Sequence, residues 1–469
     1  MKILLTGATG LIGKEVGKAL VLAGHEVIAV TRSESKAKLI LPFPAKILEW
    51  KSVTDDFPLE KLKNLTEHVD GVIHLMGENI ADHRWSDLVK EKLYQSRVVS
   101  TQKIQAAVQS LTSSNSPISF WIQGSATGYY GATEALTNEN SPAGTGYLAE
   151  LTLAWESALP PFTSDTRVVV MRTGVVMSHQ GGAFLKILTP FKNNVGGALG
   201  DGQQWMSLVH LQDVVRFIVH AVQNHVVKGI FNLVAPEPIQ NSEFTKLMAS
   251  TLGVSVGPRV PKVALQLLLG QMSEAILGSQ QITTIRMADI GFQFLYPHTT
   301  AILNECITWF RDPINPESVA SVFYAEQWVA APIEDIFQFF SDAKNLETLT
   351  PDFLNFSIVS VSTPQVEQGT LINYLLKLHG IPIKWKTEIL AWEPGKRFVD
   401  NQLQGPYALW YHEHRFMKLG SGTLIQDFVR YRVPFGMVGA LAGGAYIRHD
   451  VQKIFNYRRE KIDQLFPNC

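Results

Sequence analysis

The chain reads as an α/β protein with a doubly wound parallel sheet at its amino end, followed by a separate α+β unit. Three observations predict this. Residues 1–30 run strand, glycine turn, helix, strand. Apolar runs then alternate with helical stretches as far as about residue 310, the pattern of parallel strands joined by crossover helices. After a proline-rich break the order becomes one strand, two short helices, a strand meander and a long helix.

Ile3, Leu4 and Leu5 form the first apolar run, and Gly7, Gly10 and Gly13 follow as Gly-x-x-Gly-x-x-Gly. Val16, Leu20 and Ala23 then recur at helical spacing. A strand running through glycines into a helix aims bare amides and the positive end of the helix dipole at one point, where a dinucleotide pyrophosphate can sit. Thr6, Gly7, Thr9, Gly10, Leu11, Ile12 and Gly13 are therefore candidate cofactor-binding residues. The second strand, Glu26 to Val30, ends in Thr31-Arg32-Ser33. A carboxylate here would accept from the adenosine ribose and repel a 2′-phosphate. Arg32 instead pairs with that phosphate, so Thr31 and Arg32 predict NADP(H) rather than NAD.

Residues 45–50 are the candidate third strand and 69–78 hold the fourth, placing Leu75, Gly77 and Glu78 beside the cofactor at its carboxyl end. Arg84, Trp85 and Arg97 follow; they face the substrate cleft, where Arg97 is also a candidate cofactor-binding residue, or, equally for Trp85, pack the interior. Residues 120–131 are the fifth strand and its loop, with Ser125 at the strand end and Tyr129 and Tyr130 beyond. Residues 167–177 form the sixth strand, and Thr173 to Val176, which end it, resemble the segment that meets the nicotinamide half of the cofactor in dinucleotide-binding enzymes. His210 and Asp213 read as structural, Asp213 capping the helix that runs to Ala221, and no metal site is expected. A further strand (230–234), a helix (242–252) and an amphipathic helix (264–277) complete the first part.

The Thr-Gly-x-x-Gly-x-x-Gly turn at 6–13 resembles that of extended short-chain dehydrogenase/reductases, NAD(P)-binding enzymes that include sugar epimerases and dehydratases. Gly77-Glu-Asn-Ile-Ala-Asp-His-Arg-Trp85, Pro258-Arg-Val-Pro261 and Gly291-Phe-Gln-Phe-Leu-Tyr-Pro297 are similar to an epimerase-family subgroup. The resemblance implies a Rossmann domain over 1–310, with a small C-terminal substrate lobe at about 240–310. It also implies that Ser125 bonds the substrate oxygen and that Tyr147, or Tyr130, handles the proton. The family pairs its tyrosine with a lysine one helical turn later; here Leu151 stands in that place. Without the cation, Tyr147 keeps a phenol pKa of about 10 and is a poor base at neutral pH.

Arg311-Asp-Pro-Ile-Asn-Pro316 breaks helix and strand alike, giving a linker at 311–319 and a further domain at 320–469. Its element order and the Pro394-Gly395-Lys-Arg-Phe398 turn resemble the START-like, or polyketide-cyclase-like (SRPBCC), helix-grip superfamily. That resemblance implies a hydrophobic ligand held in an apolar tunnel, which Tyr374, Trp385, Trp410, Tyr411 and Phe428 line or simply fill. Residues 435–444, apolar and glycine-rich, read as a lid or a partner-facing patch, and Lys384, Glu388 and Arg430 as outward-facing charges.

At 469 residues and 46% hydrophobic, the chain is long and apolar enough for two or three packed domains. A net charge of −1 without a basic block excludes nucleic acid as an expected partner. Two cysteines, Cys306 and Cys469, suit a reducing compartment; with no signal peptide and no apolar run of spanning length, a cytoplasmic protein is expected. The expected function is that of an NADP(H)-binding oxidoreductase or epimerase acting on a small molecule with a carbonyl or secondary alcohol. The alternative is a non-catalytic NADP(H)-binding regulator or a hydrophobic-ligand carrier.

Overall fold

The computed structural model describes residues 1–111, 118–159, 166–378, 380–434 and 436–467, with backbone alone at 378 and 436–446. It divides into two compact units: residues 1–38 with 45–308, and residues 39–44 with 309–469.

The first unit is built on seven strands: β1 (Lys2–Thr6), β2 (Glu26–Thr31), β3 (Lys46–Glu49), β4 (Gly71–His74), β5 (Phe120–Ala126), β6 (Arg167–Thr173) and β7 (Gly229–Leu233). They pair in parallel in the order β7-β6-β5-β4-β1-β2-β3. Near-continuous apolar runs are what a parallel sheet covered on both faces demands, and Ile3, Leu4 and Leu5 are wholly buried. Leu4, Ile28, Val72, Trp121 and Val170 belong to one continuous core. The strand order reverses between β1 and β4, which opens a crevice outside their carboxyl ends. The helices that bear on the site are α1 (Leu11–Leu22), α2 (Ser100–Leu111), α3 (Tyr147–Ser157), α4 (Leu211–Gln223) and α5 (Thr299–Thr308).

Three local expectations are corrected. The sixth strand stops at Thr173, and its continuation, Val175–Met177, pairs instead with Leu208–His210. The break is at Gly174, where a Cβ would lie 2.5 Å from the Ser207 carbonyl oxygen, so the chain bends where another passes close. The helix expected over 264–277 is interrupted at Gly270, whose φ of 62° ends Lys262–Leu269 before Ser273–Leu277 begins. Asp213 does not cap α4. His210 does, its Nδ1 accepting the Gln212 amide at 3.2 Å. The Asp213 carboxylate, fully buried, accepts the amides of Leu295 (2.6 Å) and Tyr296 (3.0 Å) and ties down a distant loop.

In the second unit seven strands pair antiparallel: β8 (Ser321–Val329), β9 (Ser357–Val361), β10 (Leu371–Leu378), β11 (Ile381–Glu393), β12 (Arg397–Gln404), β13 (Leu409–Leu419) and β14 (Gly422–Arg432). Their order is β8-β14-β13-β12-β11-β10-β9. The helices α6 (Ile333–Ser341) and α7 (Gly436–Leu465) supply Ile336, Phe337 and Ile462 to a core with Phe398, Phe416 and Ile425. Val451 and Phe455 of α7 join Val429 and Tyr431 in a second cluster. Residues 436–444 are helical backbone continuous with α7, its Ala, Leu and Met carrying the helix through the glycines. Their side chains, and Phe435 itself, lie outside the described residues, as does Cys469. Residues 311–319 form a tight hairpin, bridged at Arg311 and Val319, with Asp312 held by Arg432 at 3.0 Å. Trp385 stacks on Tyr374 at 5.8 Å and meets Trp410 edge-on at 5.6 Å. Arg430 does not face outward: its Nε donates to the Trp309 carbonyl at 3.0 Å. No helix among the described residues is long and apolar enough to cross a membrane.

Candidate active site

The turn after β1 is set by two of its three glycines. Gly7 has a φ of 68°, and a Cβ there would stand 2.8 Å from the Leu75 carbonyl oxygen at the end of β4. A Cβ on Gly13 would lie 2.1 Å from the Gly7 carbonyl oxygen, so α1 seats directly on the turn. Gly10 differs. It is exposed, and its Cβ would meet only the Gly7 oxygen, at 3.2 Å. The protein's own packing does not demand glycine at that position. Gly10 is also the N-cap of α1 and no side chain caps the helix, so the first-turn amides of Leu11, Ile12 and Gly13 are left to a ligand or to water. Thr9, Leu11 and Ile12 are half-buried along this edge.

Thr6 serves the scaffold. Its hydroxyl accepts from the Leu75 and Met76 amides at 3.1 and 3.2 Å, so its own proton goes to His74 Nδ1 at 2.7 Å. Burial pushes the His74 pKa down to about 3, which keeps the ring neutral. His74 then carries its proton on Nε2, facing Ser100 Oγ at 3.3 Å. Thr6 thus fastens β1 to β4 on the floor of the crevice.

Arg32 and Glu78, read separately as cofactor-flanking, form an ion pair: Nη1 to Oε1 is 3.0 Å, with the Arg32 side chain 76% exposed. A pair so exposed contributes about 0–1 kcal/mol, so a phosphate can displace the carboxylate at little cost. Arg97 sits on a π-turn (Gln95–Val99) that opens into α2. Its Nη2 donates to the Glu78 carbonyl at 3.0 Å, and its guanidinium carbon lies 3.1 Å from where a Cβ on Gly77 would be. Burial lowers the Arg97 pKa to about 10, so it stays charged. Thr173 donates to the Met171 carbonyl at 3.3 Å, at the end of β6.

The three expected catalytic residues have different hydrogen-bond partners. Ser125 is in place at the end of β5, and its hydroxyl donates to Glu156 Oε1 at 2.6 Å. Tyr130 is turned inward and is 3% exposed; its hydroxyl donates to Asn232 Oδ1 at 2.7 Å and accepts from Arg172 at 3.0 Å. The Tyr130 proton is thus directed at Asn232. The Tyr147 hydroxyl donates to the Lys90 carbonyl at 3.2 Å, and its ring packs on Trp85 at 5.2 Å. Burial raises the Tyr147 pKa further.

Leu151 explains the missing lysine. It is buried with Trp85, Leu93 and Met272 in an apolar cluster. Trp85 is accordingly a packing residue, its indole N–H donating to the Ile80 carbonyl at 2.9 Å. Arg84, which was expected at the cleft, binds the carbonyls of Leu267 and Leu268. An ammonium at position 151 would enter that apolar cluster unpaired. Leu151→Lys is therefore expected to cost about 2–4 kcal/mol in urea unfolding without restoring a tyrosine–lysine pair.

What the site holds instead is a buried polar network. Register alone places Ser125 on β5 beside Arg172 on β6, and Arg172 beside Asn232 on β7, at the carboxyl ends of the strands. Glu156 of α3 reaches across and takes Arg172 in a two-point grip, Nε–Oε1 at 2.8 Å and Nη2–Oε2 at 2.7 Å. The Arg172 side chain is 2% exposed, and its guanidinium carbon lies 3.3 Å from the Tyr129 ring centroid. Burial would lower the pKa of Arg172, but Glu156 outweighs that and holds it above its ordinary value. Sequence reasoning missed Glu156 and Arg172. The signal was an arginine inside the apolar run 168–176, because a charge buried in a central strand needs a partner.

A doubly wound sheet, a glycine turn at its switch point and a polar row along the carboxyl ends of its strands define a Rossmann-type protein of the short-chain dehydrogenase/reductase kind. Residues 3–233 match the NAD dependent epimerase/dehydratase family, and residues 260–306 match a domain of unknown function, DUF1731. The chain is 34% identical over 299 residues to the chloroplastic epimerase family protein SDR39U1 homolog of Arabidopsis thaliana, covering 64% of this chain and 84% of that one. Over 312 residues it is 30% identical to human epimerase family protein SDR39U1, covering 66% of this chain and all of the human one (100%). The crystal structure of human SDR39U1 with NADPH superposes with a TM-score of 0.58 at 28% identity, covering 65% of this chain and 99% of that one. A nucleoside-diphosphate sugar epimerase from Corynebacterium glutamicum gives a TM-score of 0.50 at 27% identity, covering 65% of this chain and 57% of that one. The chain belongs to the epimerase family.

Proposed function

We propose that the first unit binds NADP(H) on the turn after β1 and catalyses hydride transfer at a carbonyl or secondary alcohol of a small molecule, as an oxidoreductase or within an epimerisation. The observation that carries this reading is Gly10, a glycine the fold itself does not require, at the uncapped start of α1. The crystal structure of a relative with NADPH supports the same cofactor. When bound, the nicotinamide supplies or accepts the hydride. Leu11, Ile12 and Gly13 amides hold the pyrophosphate, and Arg32 exchanges Glu78 for the 2′-phosphate.

The proton falls to Ser125 and Glu156. In the alcohol-oxidising direction Ser125, its own hydrogen directed at Glu156, accepts a proton from the substrate hydroxyl as Glu156 takes the serine proton; in carbonyl reduction the relay runs in reverse, from Glu156 protonated from solvent through Ser125 to the substrate oxygen. Arg172 holds Glu156 in place. Single-turnover assays with NADPH and a panel of carbonyl compounds test for turnover; Ser125→Ala abolishes it on this reading, whereas Tyr130→Phe does not. A protein that binds NADPH yet turns over none of the panel supports the second reading, a cofactor-binding regulator, which the apolar setting of Leu151 favours.

Arg32→Ala is expected to weaken NADPH about 10–100-fold, the loss of one charge-assisted contact of about 1.5–3 kcal/mol, and to leave NADH unchanged. Titration calorimetry with the two nucleotides decides it, and an equal loss for both removes Arg32 from cofactor choice. For the second unit we propose a START-like fold with a hydrophobic ligand; support comes from the antiparallel sheet followed by α7 and from the aromatic set around Trp385. Mass spectrometry of small molecules extracted from the full chain tests it.

A further inference from the structure

Alternation along a strand places every second residue on one face of the sheet. On β13 this brings His412 and His414 to the face that carries Asp400 of β12 and Asp427 of β14. Asp400 lies directly opposite His412, and Asp427 directly opposite His414, so the four side chains form a parallelogram. The imidazole centroids lie 3.7 Å apart with the rings tilted by 40°, and Phe398 stacks on His414 at 4.1 Å.

Each carboxylate meets both rings. Asp427 Oδ1 is 3.0 Å from His412 Nε2 and 2.8 Å from His414 Nδ1. Arg458 of α7 stands at this end, its Nη2 3.3 Å from the same oxygen. At the other end Asp400 Oδ2 is 3.5 Å from His412 Nδ1 and 3.0 Å from His414 Nε2. Asp427 accepts the His412 Nε2–H, so His412 Nδ1 is a bare lone pair facing Asp400; Arg458 Nη2 donates to His414 Nδ1 at 3.1 Å, so His414 Nε2 gives its proton to Asp400 at 3.0 Å, the proton a metal ion would displace. The ligand atoms of Asp400, His412 and His414 lie within 4.8 Å of one another. A metal ion about 2.1 Å from each donor separates donors by roughly 3.0–3.4 Å, close to the 3.0 and 3.5 Å from Asp400 Oδ2 to the two ring nitrogens.

We propose that Asp400, His412 and His414 bind a divalent first-row transition-metal ion in the second unit, with Asp427 as the outer carboxylate that orients both histidines. Two histidines and one carboxylate leave positions open for water or an oxygen-bearing ligand. An outer carboxylate on the far ring nitrogens is the usual partner of metal-binding histidines. Charge agrees: two carboxylates against Arg458 leave one negative charge for the ion to meet. Asp400, with its side chain 20% exposed, is the accessible corner.

A second group, His210, Glu305 and Cys306, also clusters within 4.8 Å. There a backbone amide, that of Gln212, holds His210 Nδ1, so Nε2 keeps the proton it gives to Glu305 at 2.7 Å, whereas His414 Nδ1 lies 2.8 Å from Asp427 and can take up the proton that Nε2 gives up.

The test uses the full chain, stripped with a chelator and titrated with Co²⁺ and Zn²⁺. One equivalent of Co²⁺ is expected, with visible d–d absorption and no thiolate charge-transfer band, and Zn²⁺ raises Tm. His412→Gln with His414→Gln abolishes both effects. Asp427→Asn weakens the metal about 10–100-fold, and Glu305→Gln leaves it unchanged. Asp400→Asn, a change at the exposed corner, serves where the double variant does not fold, and also loses the metal. A stripped wild-type chain that takes up no metal overturns the proposal. So does a cobalt spectrum with a thiolate band, or one that survives loss of the histidines.

Discussion

Arg172→Met is expected to destabilise the first unit by about 3–5 kcal/mol, because it leaves Glu156 ionised against a buried strand end with no counter-charge. The change also strips an acceptor from its donor at Tyr130, whose hydroxyl accepts from Arg172 at 3.0 Å, and removes a cation from the face of Tyr129. The informative comparison is the double variant Glu156→Met with Arg172→Met. Removing both charges leaves apolar groups of similar volume, so the double change costs far less than the single one. Urea unfolding of the three proteins checks this. Costs that simply add would mean that the pair is not coupled, and Ser125 would then lose the group argued to hold Glu156 for it.

Gly13→Ala is expected to remove NADPH binding together with much of the stability of the amino-terminal turn. Its Cβ would stand 2.1 Å from the Gly7 carbonyl oxygen and 2.8 Å from the Ala8 Cα, both backbone atoms that cannot rotate aside. Either α1 lifts off the turn or the turn opens, and the geometry that gathers the amides is lost in both cases. Gly10→Ala separates the two effects. Its Cβ meets one oxygen at 3.2 Å on an exposed edge, so thermal unfolding shifts little, by about 1 kcal/mol or less. NADPH affinity nevertheless falls at least about 100-fold, because that Cβ occupies the approach of the pyrophosphate. Calorimetric binding beside a melting curve reads both. A Gly10→Ala protein that binds NADPH normally would remove the turn from the proposed function.

Local pattern carried the scaffold. Strand, glycine turn and helix could be read at 3–23 because each step depends on neighbours in sequence: an apolar run, a positive φ at Gly7, helical spacing after Gly13. The same holds for the strands of the second unit, which glycine and proline turns mark off. Where the reading failed locally, a contact distant in sequence decided the outcome. The sixth strand breaks at Gly174 because Ser207 passes it, and Asp213 turns from its own helix to the amides at 295 and 296.

The sequence by itself determined the class of the first unit, its cofactor turn, the guanidinium at the end of the second strand, and the lack of the expected lysine at Leu151. Tertiary structure alone decided which side chains share a site. Ser125, Glu156 and Arg172 meet only through strand register and the seating of α3, and the hydroxyls of Tyr130 and Tyr147 donate to Asn232 and to the Lys90 carbonyl. His412 and His414 show their shared strand face in the sequence, yet their carboxylates come from β12 and β14. A motif reports what neighbouring residues can do, whereas a polar cluster assembled across strands follows from pairing and burial, which no single stretch of chain encodes.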